Sequence, residues 1–403
     1  MHIAMITGEY PPMEGGVGAY THQLAAALIG AGHRVSIVTT PPPGAAPNRT
    51  SEEGIHVERV IERWDVGGML QARRRLRDLA PDAVNLQYEP AAYGMRGSIT
   101  FARALFQLPA RAALVVTFHD LLPPYLFPKA GPLRRRRVRQ LARRADGVIL
   151  TNREDLRQLT QPRDSRLPPT RLIPIGSNIS AEPPAGYHRA QWRRSHGYAP
   201  DDLVIGFFGF LNRTKGVETL LTSLSALVAE GRPAHLLFIG GRTGTSDATN
   251  AAYAAEIDAL IDRLDMGSQV QRTGFVEPAE VSAALLGVDV CALPFREGAN
   301  LRHGTLHAAL AHGCLIVTTA TTMPDPELRD HEHVLLVPPD DAPALARAIT
   351  TVATDPDLRQ RLRSGAHALA ARFTWPRIAT DVAAFFEELR AGRDGSPSQP
   401  MVE

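Results

Sequence analysis

The first 40 residues decide the fold, and they read MHIAMITGEYPPMEGGVGAYTHQLAAALIGAGHRVSIVTT. An apolar run at 2–7 precedes a Gly- and Pro-rich loop at 8–18, an amphipathic stretch at 19–31 and a second run, rich in β-branched residues, at 34–39. The short apolar runs predict buried strands and the stretch between them predicts a connecting helix. The chain therefore begins with a βαβ unit, and we expect a parallel sheet with helices on both faces.

The same alternation continues in two series of short apolar runs. The expected strands of the first series are 83–86, 113–117 and 147–151, and those of the second are 203–208, 235–239, 270–273, 288–292 and 315–318. Between the series lies a loop-rich stretch at 178–200, and helical patterns such as 216–229 and 250–264 follow the strands. Two doubly wound α/β domains are predicted, at 1–178 and 179–375. Ligands bind such sheets at the carboxyl ends of the strands, so we expect the domains to face a central cleft.

Composition excludes several classes of protein. The 403 residues are 44% apolar and 21% charged, which is ordinary globular usage and excludes a mainly disordered chain. Cys291 and Cys314 are too few for a disulfide framework, and their spacing does not resemble a metal site, which favours a reducing compartment. With no apolar run of about 18 residues and no signal-peptide pattern, we expect a cytoplasmic protein, soluble or peripheral at the inner membrane face.

The net charge of +2 hides two unlike halves. Residues 1–178 carry 24 Lys and Arg against 15 Asp and Glu, whereas the remainder carries 20 against 27. Part of the excess lies in RRRLR at 73–77 and in RRRRVRQLARR from Arg134 to Arg144. Such clusters are either solvated helix faces or contacts for an anionic membrane surface or acidic acceptor. No nucleic-acid-binding motif accompanies them, so nucleic acid is disfavoured as a partner.

Two candidate sites lie at strand ends in the first half. Gly15 and Gly16 belong to a glycine-rich turn before the first helix, which is either a plain tight turn or a phosphate site. The GxGxxG pattern of dinucleotide-binding proteins is absent, and no acidic residue ends the strand at 34–39, so a nicotinamide dehydrogenase is disfavoured. His119 follows another strand and could contact a sugar hydroxyl or polarise a leaving group, with Asp120 orienting it. A loop histidine that caps the next element is the alternative.

Two further candidates lie in the second half. The loop GFLNRTKG at 209–216 places Arg213 and Lys215 before a helix, a combination suited to a diphosphate. An exposed basic loop is the alternative. The segment 294–313 is expected to place the amides of Gly304 and Thr305 at another helix start, where Arg302 and His303 could help to hold a phosphate.

The order and spacing of these segments resemble the family-4 retaining glycosyltransferases, which have the GT-B fold of two facing Rossmann-like domains. The resemblance covers nearly the whole chain. It rests on EYPPMEGGVGAYTHQLAAALIGAGHRVSIVTT, TFHD, IPIGSNI, GFLNRTKGVETLL, LLFIGG, TGFV, GVDVCALPF and ALAHGCLIVTT. The family's C-terminal segment implies a crossover helix at 376–391 that returns to the first domain. The Gly-, Ser- and Pro-rich tail at 392–403 is expected to be disordered.

The resemblance implies sugar transfer from a nucleotide diphosphate sugar, such as a UDP- or GDP-sugar, without a bound metal or other cofactor. The acceptor is unidentified, with a saccharide and a lipid-linked molecule both open. Applied to the matching residues of this chain, the family's roles imply that Gly16 contacts the donor, His119 contacts the sugar and Lys215 neutralises the diphosphate. The remaining residues implied at the donor site are Gly15, Asp120, Arg213, Gly274, Phe275, Val276, Asn300, Leu301, Arg302, His303, Gly304 and Thr305, with the turn Gly274–Val276 beside the base.

Two departures from the family pattern bear on activity. Phe210 stands where the family usually has Arg, so Arg213 is expected to supply the second charge. The family also has two Glu residues separated by seven positions, and no register of this sequence keeps both. Glu297 is the candidate for the sugar side. A catalytically silent GT-B protein that binds a nucleotide or a partner therefore stays open, as does a phosphorylase or epimerase on the same fold.

Overall fold

The computed structural model describes residues 1–109, 111–125, 131–161, 166–241 and 249–393 of the chain. They form two compact units, one made of Met1–Ile175 with Trp375–Glu403 and the other of Gly176–Thr374. The first boundary falls between residues 175 and 176, where the sequence pattern placed it at 178. Most of the tail predicted to be disordered, from residue 394 onward, lies outside the described residues.

The described residues of the first unit form eight strands and six α-helices. In chain order they are β1 (His2–Ile6), α1 (Gly16–Gly30), β2 (Arg34–Thr39), β3 (Asn48–Glu52), β4 (Ile55–Arg59), α2 (Val66–Leu79), β5 (Ala83–Tyr88), α3 (Ala102–Phe106), β6 (Ala113–Phe118), α4 (Gly131–Arg144), β7 (Gly147–Leu150), α5 (Arg153–Thr160) and β8 (Thr170–Leu172), followed at the C-terminus by the helix Trp375–Ala391.

The sheet of the first unit has the order β3-β4-β2-β1-β5-β6-β7-β8. Every neighbouring pair is parallel except β3 with β4. The strand order reverses at β1, which has β2 on one side and β5 on the other. This topological switch point places the loop after β1 where ligands of α/β sheets bind.

Both faces of this sheet are covered, as the apolar strands predict. In β6, Leu114 and Val116 pack in one hydrophobic cluster, whereas Ala113 and Val115 pack in another together with residues of the C-terminal helix. That helix contacts α1, and its Glu388 pairs with Arg171 at 2.8 Å. The predicted return of the C-terminal helix to the first unit is therefore confirmed.

The second unit contains a six-stranded parallel sheet of order β11-β10-β9-β12-β13-β14. Its elements are α6 (Arg189–Ser195), β9 (Leu203–Phe208), α7 (Val217–Ala229), β10 (Ala234–Ile239), α8 (Thr249–Arg263), β11 (Val270–Arg272), α9 (Pro278–Gly287), β12 (Val290–Leu293), α10 (Gly304–Ala311), β13 (Ile316–Thr319), β14 (Leu335–Val337), α11 (Ala342–Thr354) and α12 (Pro356–Ala370). The C-terminal helix Trp375–Ala391 is α13. The order reverses at β9, so the loops after β9 and β12 flank the switch point of this sheet.

Four strands and one helix were not predicted from the sequence. β3 and β4 form an antiparallel hairpin whose turn residues, Glu53 and Gly54, both have positive φ. β8 and β14 are three-residue edge strands, too short for a periodicity signal, and α6 lies inside the stretch predicted to be loop. No helix within the described residues is both long and apolar enough to cross a membrane.

Candidate functional site

A buried carboxylate holds the loop after β1. The backbone N–H groups of Val17 and Gly18 each donate to Glu9 Oε1 at 3.0 Å, and Glu9 is only 8% exposed. The carboxylate thus caps the N-terminus of α1 from outside the helix, and its negative charge interacts favourably with the positive end of the helix dipole. Two of the amides that the glycine-rich turn offered to a phosphate are therefore already occupied.

Gly15 and Gly16 meet different surroundings. A Cβ at Gly15 would lie 2.1 Å from Glu9 Oε1, whereas a Cβ at Gly16 would meet no atom of the described chain within 4 Å. The backbone of Gly15 is extended, with φ of −172°, so glycine is required there for space rather than for backbone conformation. Only Gly16, the first residue of α1, faces open space through which a ligand could approach the backbone.

His119 follows β6 and is held by a neighbouring strand. Its Nε2 lies 2.9 Å from Oε1 of Gln87, and its ring packs edge-on against Tyr20 with centroids 4.6 Å apart. Burial lowers the pKa of His119 to about 3, so the imidazole is neutral at pH 7. Asp120, expected to orient the ring, accepts from the N–H of Leu122 at 3.0 Å. The partner that the structure gives to the ring is Gln87.

Three glycines with positive φ end adjacent strands of the second unit. Gly209, Gly240 and Gly274 follow β9, β10 and β11, with φ of 125°, 100° and 68°. Together with Phe238 they line an apolar cavity. Phe275 is 65% exposed beside this cavity, next to the half-buried Val276. Without Cβ atoms, these strand ends allow a planar aromatic group to approach the backbone closely.

Lys215 lies in a short 3-10 turn between β9 and α7. Its Nζ is 4.7 Å from the centroid of the Phe295 ring. Burial, and then the nearby charge of Arg302, lower the pKa of Lys215 to about 8. Within the part of the chain that the structure describes, no carboxylate lies within ion-pair distance of this ammonium group. A desolvated cation beside a second cation is an arrangement that an anion would stabilise.

Arg213 differs from Lys215, although both belong to the same turn. Its guanidinium is exposed and lies 2.5 Å from a carboxylate oxygen of Glu256. It also packs over the ring of Tyr253 at 5.2 Å. The second cation near Lys215 is Arg302, whereas the resemblance assigned that part to Arg213.

The loop after β12 is organised by contacts among its own residues. Glu297 pairs with Arg302 at 2.6 Å, and Oδ1 of Asn300 accepts from the Arg302 N–H at 3.0 Å. His303 stacks on Phe295 with centroids 3.9 Å apart, and burial holds its pKa well below the usual range. Leu301 is buried, and its carbonyl lies 2.8 Å from His307 Nε2. These contacts within the loop hold Arg302 in position.

The first residues of α10 lie against the strand end of β9. A Cβ at Gly304 would meet no atom of the described residues within 4 Å, so this helix start is open toward them. The methyl carbon of Thr305 lies 2.8 Å from the position that a Cβ of Gly209 would take. Oγ1 of Thr305 is buried, and no atom of the described residues forms a hydrogen bond with it. A buried hydroxyl in this state is satisfied if a ligand oxygen approaches it.

Sequence reasoning missed four residues that shape these surfaces: Glu9, Asn85, Gln87 and Phe295. Asn85 and Gln87 are polar residues at alternate positions of an otherwise apolar central strand, and that pattern was a usable signal. Phe295 resembles an ordinary core aromatic, since no sequence pattern shows that Lys215 and His303 share its ring.

Comparison with known protein families gives two matches. A family described as "Glycosyl transferase 4-like domain" matches residues 15–176, and one described as "Glycosyl transferases group 1" matches residues 202–355. The matched ranges follow the two structural units.

Similar proteins include D-inositol 3-phosphate glycosyltransferase of Corynebacterium jeikeium, which is 26% identical over 65% of this chain and 62% of the relative. The match therefore spans less than two thirds of that protein. Glycogen synthase of Mycobacterium tuberculosis is 26% identical over 100% of this chain and 99% of the relative. Sucrose-phosphate synthase of Thermosynechococcus elongatus, 21% identical, superimposes with a TM-score of 0.78 over 97% of this chain and 99% of that chain. HepE of Anabaena, solved in complex with UDP and glucose, is 19% identical with a TM-score of 0.74 over 96% and 100%.

Proposed function

Because the chain belongs to the family-4 glycosyltransferases of GT-B fold, we propose that it transfers a sugar from a nucleoside diphosphate sugar with retention of configuration. The observation that carries the donor class is the cation pair Lys215 and Arg302 beside the open start of α10. A leaving diphosphate gains negative charge in the transition state, and cations and helix amides stabilise that charge without a metal. We propose metal-independent transfer on this ground.

We further propose roles for the other groups. The Gly16 amide contacts the donor, and neutral His119 contacts the sugar. Glu297 lies on the sugar side, where its ion pair with Arg302 couples it to the diphosphate contact. The turn Gly274–Val276 lies beside the base.

UDP is our first choice of nucleotide, since the HepE structures hold UDP and UDP-glucose, and GDP is the alternative. For the acceptor we propose a saccharide or lipid-linked molecule, because the relatives include enzymes named for inositol phosphate and for glycogen.

The test measures release of free nucleoside diphosphate from UDP- and GDP-sugars in the presence of EDTA, with and without candidate saccharide acceptors. We expect one donor to bind, to raise the melting temperature by mass action, and to release its nucleotide only when an acceptor is present. Binding without turnover would support the catalytically silent alternative. Release of nucleotide without any acceptor would indicate hydrolysis of the donor, isomerisation of the donor sugar without release would support an epimerase, and complete loss with EDTA would contradict the metal-independent mechanism.

For the basic helix α4 we propose contact with an anionic membrane surface. Its Val138 and Leu141 face the core, whereas Arg135 and Arg136 are exposed. Exposed apolar residues accompany the charge: Leu122, Tyr125 and Leu133 are 59%, 51% and 39% exposed. Cations at a membrane surface contribute about 1 kcal/mol each, and apolar side chains add to the attraction.

We expect co-sedimentation with vesicles that contain anionic lipid at low salt, and none with zwitterionic vesicles. Replacing Arg135 and Arg136 by Gln should weaken this binding by about tenfold or more. The matched control replaces Arg359 and Arg361, which are exposed on α12 of the second unit, and should bind as the unmodified protein does. Equal binding by all three proteins would exclude α4 as the contact.

A further inference from the structure

Two buried polar side chains occupy a central strand of the first unit. Asn85 and Gln87 of β5 are both fully buried, and they lie on the same sheet face as the apolar Ala83, Ala113 and Val115. A buried amide without partners destabilises a protein, so such groups persist where each donor and acceptor is paired. Here the pairing leads to His119.

The hydrogen bonds run in one direction. The amide nitrogen of Asn85 lies 2.9 Å from Oγ1 of Thr117 and 3.4 Å from the carbonyl oxygen of Val115. A carbonyl only accepts, so the NH₂ group of Asn85 faces Val115 and its Oδ1 faces Gln87. Oδ1 accepts from the NH₂ group of Gln87, which leaves Gln87 Oε1 as the acceptor that faces His119.

An acceptor at this position determines which imidazole nitrogen carries the proton. Gln87 Oε1 lies 2.9 Å from His119 Nε2, so Nε2 must carry the hydrogen. In a neutral ring Nδ1 is then the unprotonated nitrogen. Tyr20 packs edge-on against the ring and restrains its rotation.

We propose that Asn85 and Gln87 are positioning residues that hold His119 in the Nε2-protonated tautomer, so that Nδ1 accepts a hydrogen bond from a hydroxyl group of the transferred sugar. The choice of a hydroxyl rests on the function proposed above. An acceptor nitrogen selects groups that donate, and it disfavours a carboxylate or carbonyl at the same place of the substrate. The network thereby sets both the orientation of the ring and the class of group that it recognises.

The tautomer can be tested without any substrate. Nitrogen-15 spectra of protein labelled in histidine, with the His119 signals assigned by their loss in His119→Gln, should show Nε2 protonated and Nδ1 unprotonated. In Gln87→Leu the preference should weaken toward the intrinsic balance of a free imidazole. Gln87→Glu, which keeps an acceptor at this position, should retain it. A wild-type His119 protonated at Nδ1 would overturn the inference whether or not the protein transfers sugar.

Kinetic measurements test whether the tautomer of His119 affects sugar transfer. We expect Gln87→Leu to lower kcat by about tenfold, the equivalent of one positioned hydrogen bond, with little change in affinity for UDP. Gln87→Glu should keep most of kcat and move the acid limb of the pH profile upward, because a carboxylate beside the ring favours the imidazolium form. The matched control is Ser36→Ala, which removes a buried hydrogen bond to His2 in the same sheet.

The control loses a comparable contact far along the sheet from His119, so it should keep the wild-type tautomer, kcat and pH profile. If Ser36→Ala and Gln87→Leu lower kcat equally, or if Gln87→Leu keeps the tautomer, then Gln87 has only a structural role. A protein that releases no nucleotide from any donor but shows the expected tautomer would contradict the proposed function and leave the positioning network intact.

Discussion

Replacing Lys215 by alanine is expected to lower kcat by about 10² to 10³, the usual effect of removing one preorganised charge-stabilising group. Lys215 is desolvated against Phe295, and no carboxylate of the described chain neutralises it. Its charge is therefore available for the oxygen atoms of a leaving diphosphate, whose negative charge grows as the bond to the sugar breaks. Initial rates of nucleotide release with saturating donor measure the effect.

The control variants separate charge from packing. Lys215→Arg keeps a cation in the turn and should recover part of the rate. Arg232→Ala removes a cation of the same unit that lies near Glu230 and should act as wild type. A Lys215→Ala protein with a wild-type rate would remove this residue from the mechanism.

The titration of Lys215 gives a second check on the same contact. Its pKa is about 8, so the charged form dominates below that pH and is lost as pH rises through it. Affinity for UDP should therefore weaken above about pH 8, by up to about tenfold per pH unit. Lys215→Arg, whose guanidinium stays charged, should show no such weakening. Equal pH dependence in the two proteins would assign the titration to another group.

Most of the fold follows from local sequence patterns. Most strands of both sheets are short apolar runs between helical stretches, because burial on both faces favours apolar residues there. The β3–β4 hairpin was not predicted because β3 is a polar edge strand of sequence NRTSE, in which no residue is buried and no face is apolar. Its pairing depends on β4, which is a neighbour of β2 in space.

The candidate sites were predictable in position but not in their internal contacts. Parallel strands put His119 and Lys215 at the carboxyl ends where the sequence placed them. Which partner each side chain has depends on the register of neighbouring strands. Gln87 reaches His119 because β5 pairs with β6, with Tyr88 opposite Phe118. Glu9 reaches α1 because the loop folds back on its own helix, and a linear pattern contains no sign of that.

The same fold-back makes Gly15 sensitive to substitution, because the Glu9 side chain occupies the space beside it. Gly15→Ala is expected to lower the free energy of unfolding of the first unit by about 2 to 4 kcal/mol, because the new methyl group would occupy the position of Glu9 Oε1. The carboxylate must move away from the amides of Val17 and Gly18, and it stays buried without them. In a unit of this size the melting temperature should fall by about 5 to 10 °C, measured by calorimetry.

Gly16→Ala is the matched control, since the same methyl group enters open space one residue later. It should leave the melting temperature unchanged or slightly raised, because alanine loses less backbone entropy than glycine when a helix forms. A lowered kcat in this stable variant would indicate that a ligand approaches the Gly16 amide. In a Glu9→Ala background the Gly15→Ala change should cost little, since the obstructing carboxylate is gone. If Gly15→Ala melts like Gly16→Ala in the wild-type background, Glu9 does not hold this loop, and the amides of Val17 and Gly18 return as candidates for a phosphate contact.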